Sequence, residues 1–373
     1  MDWNRIMGQR IGSTLALATL IYLLTAGQVL AVEPEDDWTS VVRESPYWVS
    51  QGVFDNITTI RRWVLEESGY CEEPDRHILY DMRGRFLGYI GDELTSAGTQ
   101  QRLNATRKEL ADHGKTDHWV KGSEDQAGYP FALACDQPHA NLPHALDRYL
   151  GKFRAARLWG RWDDLSFATE KQPGSLHDAL LYVIRTRAQQ NRIRLSSEMP
   201  RYLAGQILIE SSGQPRALSA ARAKGILQLT PVALSDCNIR PANHWHRLAQ
   251  IDCALRLTQQ NARNLRPVFD KRFGHLPEAK QQRLFTLLLV QAYHGGAGRV
   301  IGLLEDETLS QPARYFASHH ERFSAGDIAF GMIFHNLGRH RLGLGSLYYV
   351  ADVQVATDAL CGTRDLQDTD FCH

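Results

Sequence analysis

The sequence predicts an α+β protein in two parts: a small mixed α/β module over residues 32–170, then a mainly helical domain over residues 175–373. Two observations carry this division. Between His77 and Ile90, two β-rich runs flank Arg83-Gly84, the pattern of a hairpin. Beyond Gln172-Pro173-Gly174 the chain reads as almost wholly helical. Its punctuation falls at Gly213-Gln214-Pro215, Pro231, Pro241, Pro267, Pro277, Gly295-Gly296 and Gly343 to Gly345.

Taken in order, the first element is a targeting segment. Arg5 and Arg10 precede an apolar run from Ile11 to Leu24, which is short and laced with Ser, Thr and Gly. Val29-Leu30-Ala31 places small residues where a signal peptidase reads, so residues 1–31 are expected to be a signal peptide and the mature chain periplasmic. The alternative is an uncleaved membrane anchor. In the mixed module, helical periodicity covers Val53 to Glu67, Gln100 to His113 and Leu142 to Arg157. The stretch Gly128 to Ala134 reads as local core. No chemistry-bearing motif falls in this module, and a cell-envelope protein partner for it is left open.

Composition narrows the class. Lys+Arg and Asp+Glu both number 42, so no global field favours nucleic acid as a partner. The balance hides an asymmetry: residues 201–300 hold 14 Lys/Arg against 5 Asp/Glu. Six cysteines stand outside any C-x-x-C pair, and in an exported chain an even number reads as disulfides. Proximity alone suggests Cys71 with Cys135, Cys237 with Cys253, and Cys361 with Cys372.

The candidate chemistry begins on a helix from about Pro200 to Ser212. Ser196 or Ser197 is expected to cap it, with Pro200 in its first turn and Gly213 and Pro215 ending it. Leu203, Ile207 and Glu210 share one stripe. A carboxyl in line with buried residues, at the negative end of the helix dipole, has its pKa raised. That is the requirement for a general acid at neutral pH.

Glu210-Ser211 is followed by Ala223-Lys224-Gly225-Ile226-Leu227-Gln228-Leu229-Thr230-Pro231, then by Gln291-Ala292-Tyr293-His294-Gly295-Gly296-Ala297-Gly298-Arg299-Val300, and finally by Tyr348-Tyr349-Val350. These four segments resemble the soluble lytic transglycosylase (SLT) domain, of the lysozyme-like superfamily that includes goose-type lysozyme. The resemblance covers roughly residues 175–355. It implies a lyase that cuts the glycan strands of peptidoglycan, without metal or cofactor, and a monomer is expected.

By that resemblance Glu210 is the catalytic residue. Ser211, Ser219, Gly225, Gln228, Tyr293, His294 and Tyr349 contact substrate or support the acid. Physical reasons accompany several of these. Gly225 permits a close backbone approach, and Gln228 offers a donor and an acceptor. Tyr293 delivers a hydroxyl to a cleft wall. Ser219 matches a hydroxyl near the substrate's N-acetyl carbonyl, and Tyr349 the late tyrosine that hydrogen-bonds the acid. Two residues depart from the pattern. Arg222 replaces a small residue, and His294 replaces an asparagine, which makes that position charge-sensitive near pH ~6.5.

Neither Asp236 nor Asp252, the next carboxylates downstream of Glu210, matches a family position, so a two-carboxylate hydrolase is not supported. His244-Trp245-His246 and His319-His320-Glu321 read as surface histidines rather than a metal site. A hydrolase on the same scaffold and a non-catalytic peptidoglycan-binding protein remain the alternatives.

Overall fold

The computed structural model describes residue 43 and residues 45–66, 76–80, 86–115, 131–134 and 141–373. The expected signal segment, Arg83-Gly84, Cys71 and Cys135 lie outside the described residues. Asp36–His373 form one compact unit. The boundary expected at Gln172–Gly174 falls inside it.

The protein is mainly helical with small antiparallel sheets. The first helix, α1 (Val53–Glu66), has Ile57 and Ile60 fully buried. Strands β1 (Arg76–Tyr80) and β2 (Phe86–Gly91) then pair antiparallel with His77 opposite Ile90, as the hairpin pattern predicts. Helix α2 (Ser96–Asp112) follows, and β3 (Phe131–Ala134) completes the sheet on the other side of β1. Helix α3 (Leu142–Tyr149) stops eight residues short of the expected Arg157. Gly151 explains the stop: it has φ 69°, and a Cβ there would meet Ser175 Cβ at 2.9 Å. Periodicity did not foresee the two-stranded sheet of β4 (Gly160–Trp162) and β5 (Leu165–Phe167), whose strands are three residues each.

Helix α4 (Leu176–Gln189) starts at a capping box formed by Ser175 and Asp178. Helix α5 (Met199–Ser211) carries Glu210. Its N-cap is Glu198 without a side-chain cap bond, so neither Ser196 nor Ser197 caps it. Its end is as expected: Ser212 and Gly213 both take positive φ, 52° and 70°. After α6 (Pro231–Asp236) comes α7 (Arg247–Phe273), which runs straight through Pro267, where a break was expected. Pro267 is exposed, so water can satisfy the carbonyl that its missing N–H leaves free. Helices α8 (Glu278–Gly295), α9 (Ala297–Glu305), α10 (Gln311–Ser318), α11 (Ala325–Phe334) and α12 (Leu344–Cys361) complete the chain. Among the described residues no helix is long and apolar enough to cross a membrane.

Helix α12 is the hub. Every residue from Ser346 to Thr357 is buried, with α1, α5, α8 and α11 packed around it. It runs antiparallel to α5: Thr357 bonds Arg201 O, and Tyr349 bonds Glu210 at the other end. Helix α1 is fastened to the hub by a buried ion pair. Arg61 Nε donates to Asp352 Oδ1, and Nη2 donates to Oδ2 at 2.9 Å. The Arg61 guanidinium also lies 5.3 Å from the centre of the Tyr348 ring. Among the described residues two disulfides form as proximity suggested, Cys237–Cys253 between the end of α6 and α7, and Cys361–Cys372 beyond the end of α12.

The Arg61–Asp352 pair makes the α1–α12 contact sensitive to losing one charge alone. Arg61→Met should destabilise the protein by about 3–5 kcal/mol, because it leaves a buried carboxyl without its cation. Adding Asp352→Leu should restore most of that loss, since two apolar side chains then fill the site. Urea midpoints of the three proteins measure it.

Candidate active site

Glu210 lies in the last turn of α5, half-buried, on the stripe that also holds Leu203 and Ile207. Its Oε1 accepts a 2.6 Å hydrogen bond from the Tyr349 hydroxyl of α12. The same hydroxyl accepts from Gln206 Nε2 at 3.3 Å. Gln206 therefore fixes where the phenolic proton points: with the amide donating into the oxygen, the O–H is left to face Glu210. Burial pushes the Glu210 pKa up from 4.5 to about 7, against the pull of the Tyr349 hydrogen bond, which favours the anion. Burial and the neighbouring Glu210 both push the Tyr349 pKa up, so it stays a donor.

Beside Glu210 runs a tightly folded loop over residues 217–229. Backbone bonds close it: Gly225 N to Ala217 O at 2.8 Å, and the reciprocal pair between Lys224 and Leu229. Gly225 is required twice over. Its φ is +75°, and a Cβ would lie 1.9 Å from Nε2 of the fully buried Gln250. Gln228, itself at φ 44°, turns its Nε2 inward to Ala217 O and Gly225 O, both at 3.0 Å. Its donor is thus spent inside the loop.

Two residues expected at the substrate act as clamps on this loop. Ser211 is buried, and its hydroxyl donates to Ile226 O at 2.8 Å. Tyr293 donates to the next carbonyl, Leu227 O, at 2.6 Å. Successive carbonyls are therefore held from α5 and from α8. Ser219 is half-buried at the turn, where its Oγ accepts from Ala223 N at 3.1 Å. Arg222 is exposed at φ 62°.

His294 stacks on Tyr349, with ring centres 4.4 Å apart and planes 22° from parallel. Burial and Arg299 both lower its pKa. The ring is therefore neutral at neutral pH and adds no cation beside Glu210. Its titration falls below the range expected from sequence.

The structure brings Glu210, Gly225, Gln228, Tyr293, His294 and Tyr349 together, with Ser211 behind them. Sequence reasoning missed Gln206 and Gln250. Gln206 carried a signal: it is a polar residue four before Glu210, inside an apolar helix. Gln250 carried none, since its partner Gly225 is distant in sequence. Among the described residues there is no cluster of metal-ligating side chains. His244 bonds Lys224 and Ile239 O, and His246 accepts from Ala249 N to cap α7. No protein-family model matches the chain, and no curated protein matches it in sequence.

The raised pKa sets a sign for stability. Folded Glu210 holds its proton more tightly than the unfolded chain does, so its contribution is full below pH 4.5 and is lost as pH rises through about 7. Glu210→Gln should match the parent in thermal melting at low pH and exceed it above pH ~7.

Proposed function

We propose that this protein is a peptidoglycan lytic transglycosylase on a lysozyme-like scaffold, exported to the periplasm. The observation that carries the reading is Glu210: a carboxyl with a pKa of about 7, oriented by Tyr349, beside a glycine-built loop in the order the SLT resemblance implies. Among the described residues no other carboxylate contributes to its shift or bonds to it, which favours a single group acting twice.

In the proposed reaction, protonated Glu210 gives its proton to the oxygen bridging N-acetylmuramic acid and N-acetylglucosamine. That bond breaks while the substrate's own N-acetyl carbonyl stabilises C1. The Glu210 carboxylate then takes the proton of the C6 hydroxyl, whose oxygen closes on C1 as a 1,6-anhydro ring. Gln228 Oε1 is the acceptor left to face the sugar, since its nitrogen braces the loop. Tyr349 stabilises the carboxylate between the two transfers.

Digestion of purified sacculi tests the reading. The mature protein should release muropeptides ending in anhydro sugars, and Glu210→Gln should lose at least ~100-fold of that activity. Reducing ends would instead identify a hydrolase, and no soluble product would overturn both enzyme readings.

The pH profile supplies an independent check. Activity should fall as pH rises through about 7, where the acid loses its proton. Tyr349→Phe removes a hydrogen bond that lowers the pKa, so it should move this alkaline limb upward while reducing the maximal rate.

A further inference from the structure

Two clefts lie along one face of α7, and Glu210 lines neither. The first, of about 340 Å³, gathers Arg187, Arg192, Arg240 and Arg256 against Asp163 and Asp252. The second, of about 380 Å³, sets Arg194, Arg263 and Arg266 around an apolar floor that includes Leu195, Phe285 and Leu289, with no acidic residue in its wall. Arg256, Gln259, Arg263 and Arg266 follow helical spacing, so α7 supplies one side of both. The segment 192–196 is pinned to α7 between them, where Arg194 N donates to Gln259 Oε1. It presents Arg192 to one cleft and Arg194 to the other.

The acidic residues here are already committed. Asp252 bonds the buried Arg187 at 2.6 Å and Arg256 at 3.2 Å. Asp163 is shared by Arg187 and Arg192. Among the described residues no carboxylate pairs with Arg194, Arg240 or Arg263. Three guanidinium forks are thus left without counter-charge in a chain with no net charge overall. The buried Arg187–Asp252 pair and the Cys237–Cys253 disulfide hold the first cleft rigid.

We infer that these clefts bind carboxylates carried at intervals on a polymer, namely the acidic peptide branches of the wall glycan. This rests on the proposed function. Three observations favour it over a flat anionic surface. The guanidinium fork matches a carboxylate in a bidentate manner. The clefts are discrete, with Arg256 and Arg263 seven residues apart, a rise of about 10 Å. And the wall of the first cleft leads from Asn243 directly to His244 and Trp245. Those two hold Lys224 of the Gly225 loop, by a 3.1 Å contact and by a 5.7 Å approach to the indole ring. The loop beside Glu210 and the wall of this cleft are therefore in direct contact.

Binding is measured with full-length mature Glu210→Gln, which leaves the strands uncut, on intact sacculi and on sacculi stripped of peptide by an amidase. The parent should bind intact sacculi more tightly than stripped ones. Adding Arg240→Gln and Arg263→Gln, both exposed, should weaken binding to intact sacculi about tenfold and leave binding to stripped strands unchanged. Equal affinity of the parent for both sacculi overturns the inference, as does an arginine variant that binds intact sacculi like the parent. Tighter binding to phosphatidylglycerol vesicles than to intact sacculi also overturns it. Cleavage by the native chain is read separately on its products, so failure of the glycan-cleaving reading is distinguishable from failure of the arginine clefts.

Discussion

Helices α5 and α12 meet at Gly205, which presents no side chain of its own to Thr357 and Val353. A Cβ at that position would lie 2.4 Å from Thr357 Oγ1 and 2.8 Å from Val353 O. Backbone contact this close is available only to glycine in the middle of a helix, where its conformational freedom costs about 0.5–1 kcal/mol. The cost is offset by what the approach allows. Because the two helices run antiparallel, Tyr349, one turn before Val353, comes level with Gln206 and Glu210. A larger residue at 205 would wedge the helices apart. The 2.6 Å bond between Tyr349 and Glu210 has little slack to absorb that displacement.

The same helix carries the scaffold and the chemistry three residues apart. Asp352 reaches back to Arg61 of α1, and Tyr349 reaches forward to Glu210. Helix α1 belongs to the part of the chain expected as a separate module, yet its buried arginine is spent on the hub. Burial raises the Asp352 pKa against the pull of Arg61, so the pair fixes position more than it adds stability. Gln354 and Thr357 bond the hub to α5, through the Tyr202 hydroxyl at 2.6 Å and Arg201 O, while the Arg61 pair bonds it to α1. A bidentate guanidinium–carboxylate contact gives it a register.

What the sequence made legible was local. The apolar stripe predicts Glu210 as a half-buried carboxyl, and the turn chemistry predicts Gly225 as a close approach. Both hold, and the hairpin and two disulfides hold for the same reason: few residues separate the partners. Apart from Tyr349 for Glu210 and the two disulfides, the sequence could not supply the partner of each group. Ser211 and Tyr293 were expected at the substrate from the family resemblance of the segments around them. A hydroxyl, however, donates equally well to a backbone carbonyl, and Ile226 O and Leu227 O are the acceptors in reach. Arg61 and Asp352 lie 291 positions apart, and nothing in either neighbourhood announces the other. Pro267 misled because a proline break assumes that the freed carbonyl is buried, and here that face is wet.

The two clamps and the glycines have a common consequence for Glu210. They immobilise the loop beside it without placing a charge there, and the His294 ring over Tyr349 is held neutral. The environment of Glu210 is therefore apolar with one directed donor. Desolvation alone would push the carboxyl upward until it became a poor acid, while full solvation would make it a poor base. A hydrogen bond from Tyr349 that stabilises the anion opposes the desolvation, and the balance falls at about 7. In the proposed reaction one group must give a proton and then take one back. For such a group a pKa near the ambient pH keeps either transfer from being steeply uphill. A second carboxylate would shift that balance, and the fold supplies an uncharged tyrosine instead.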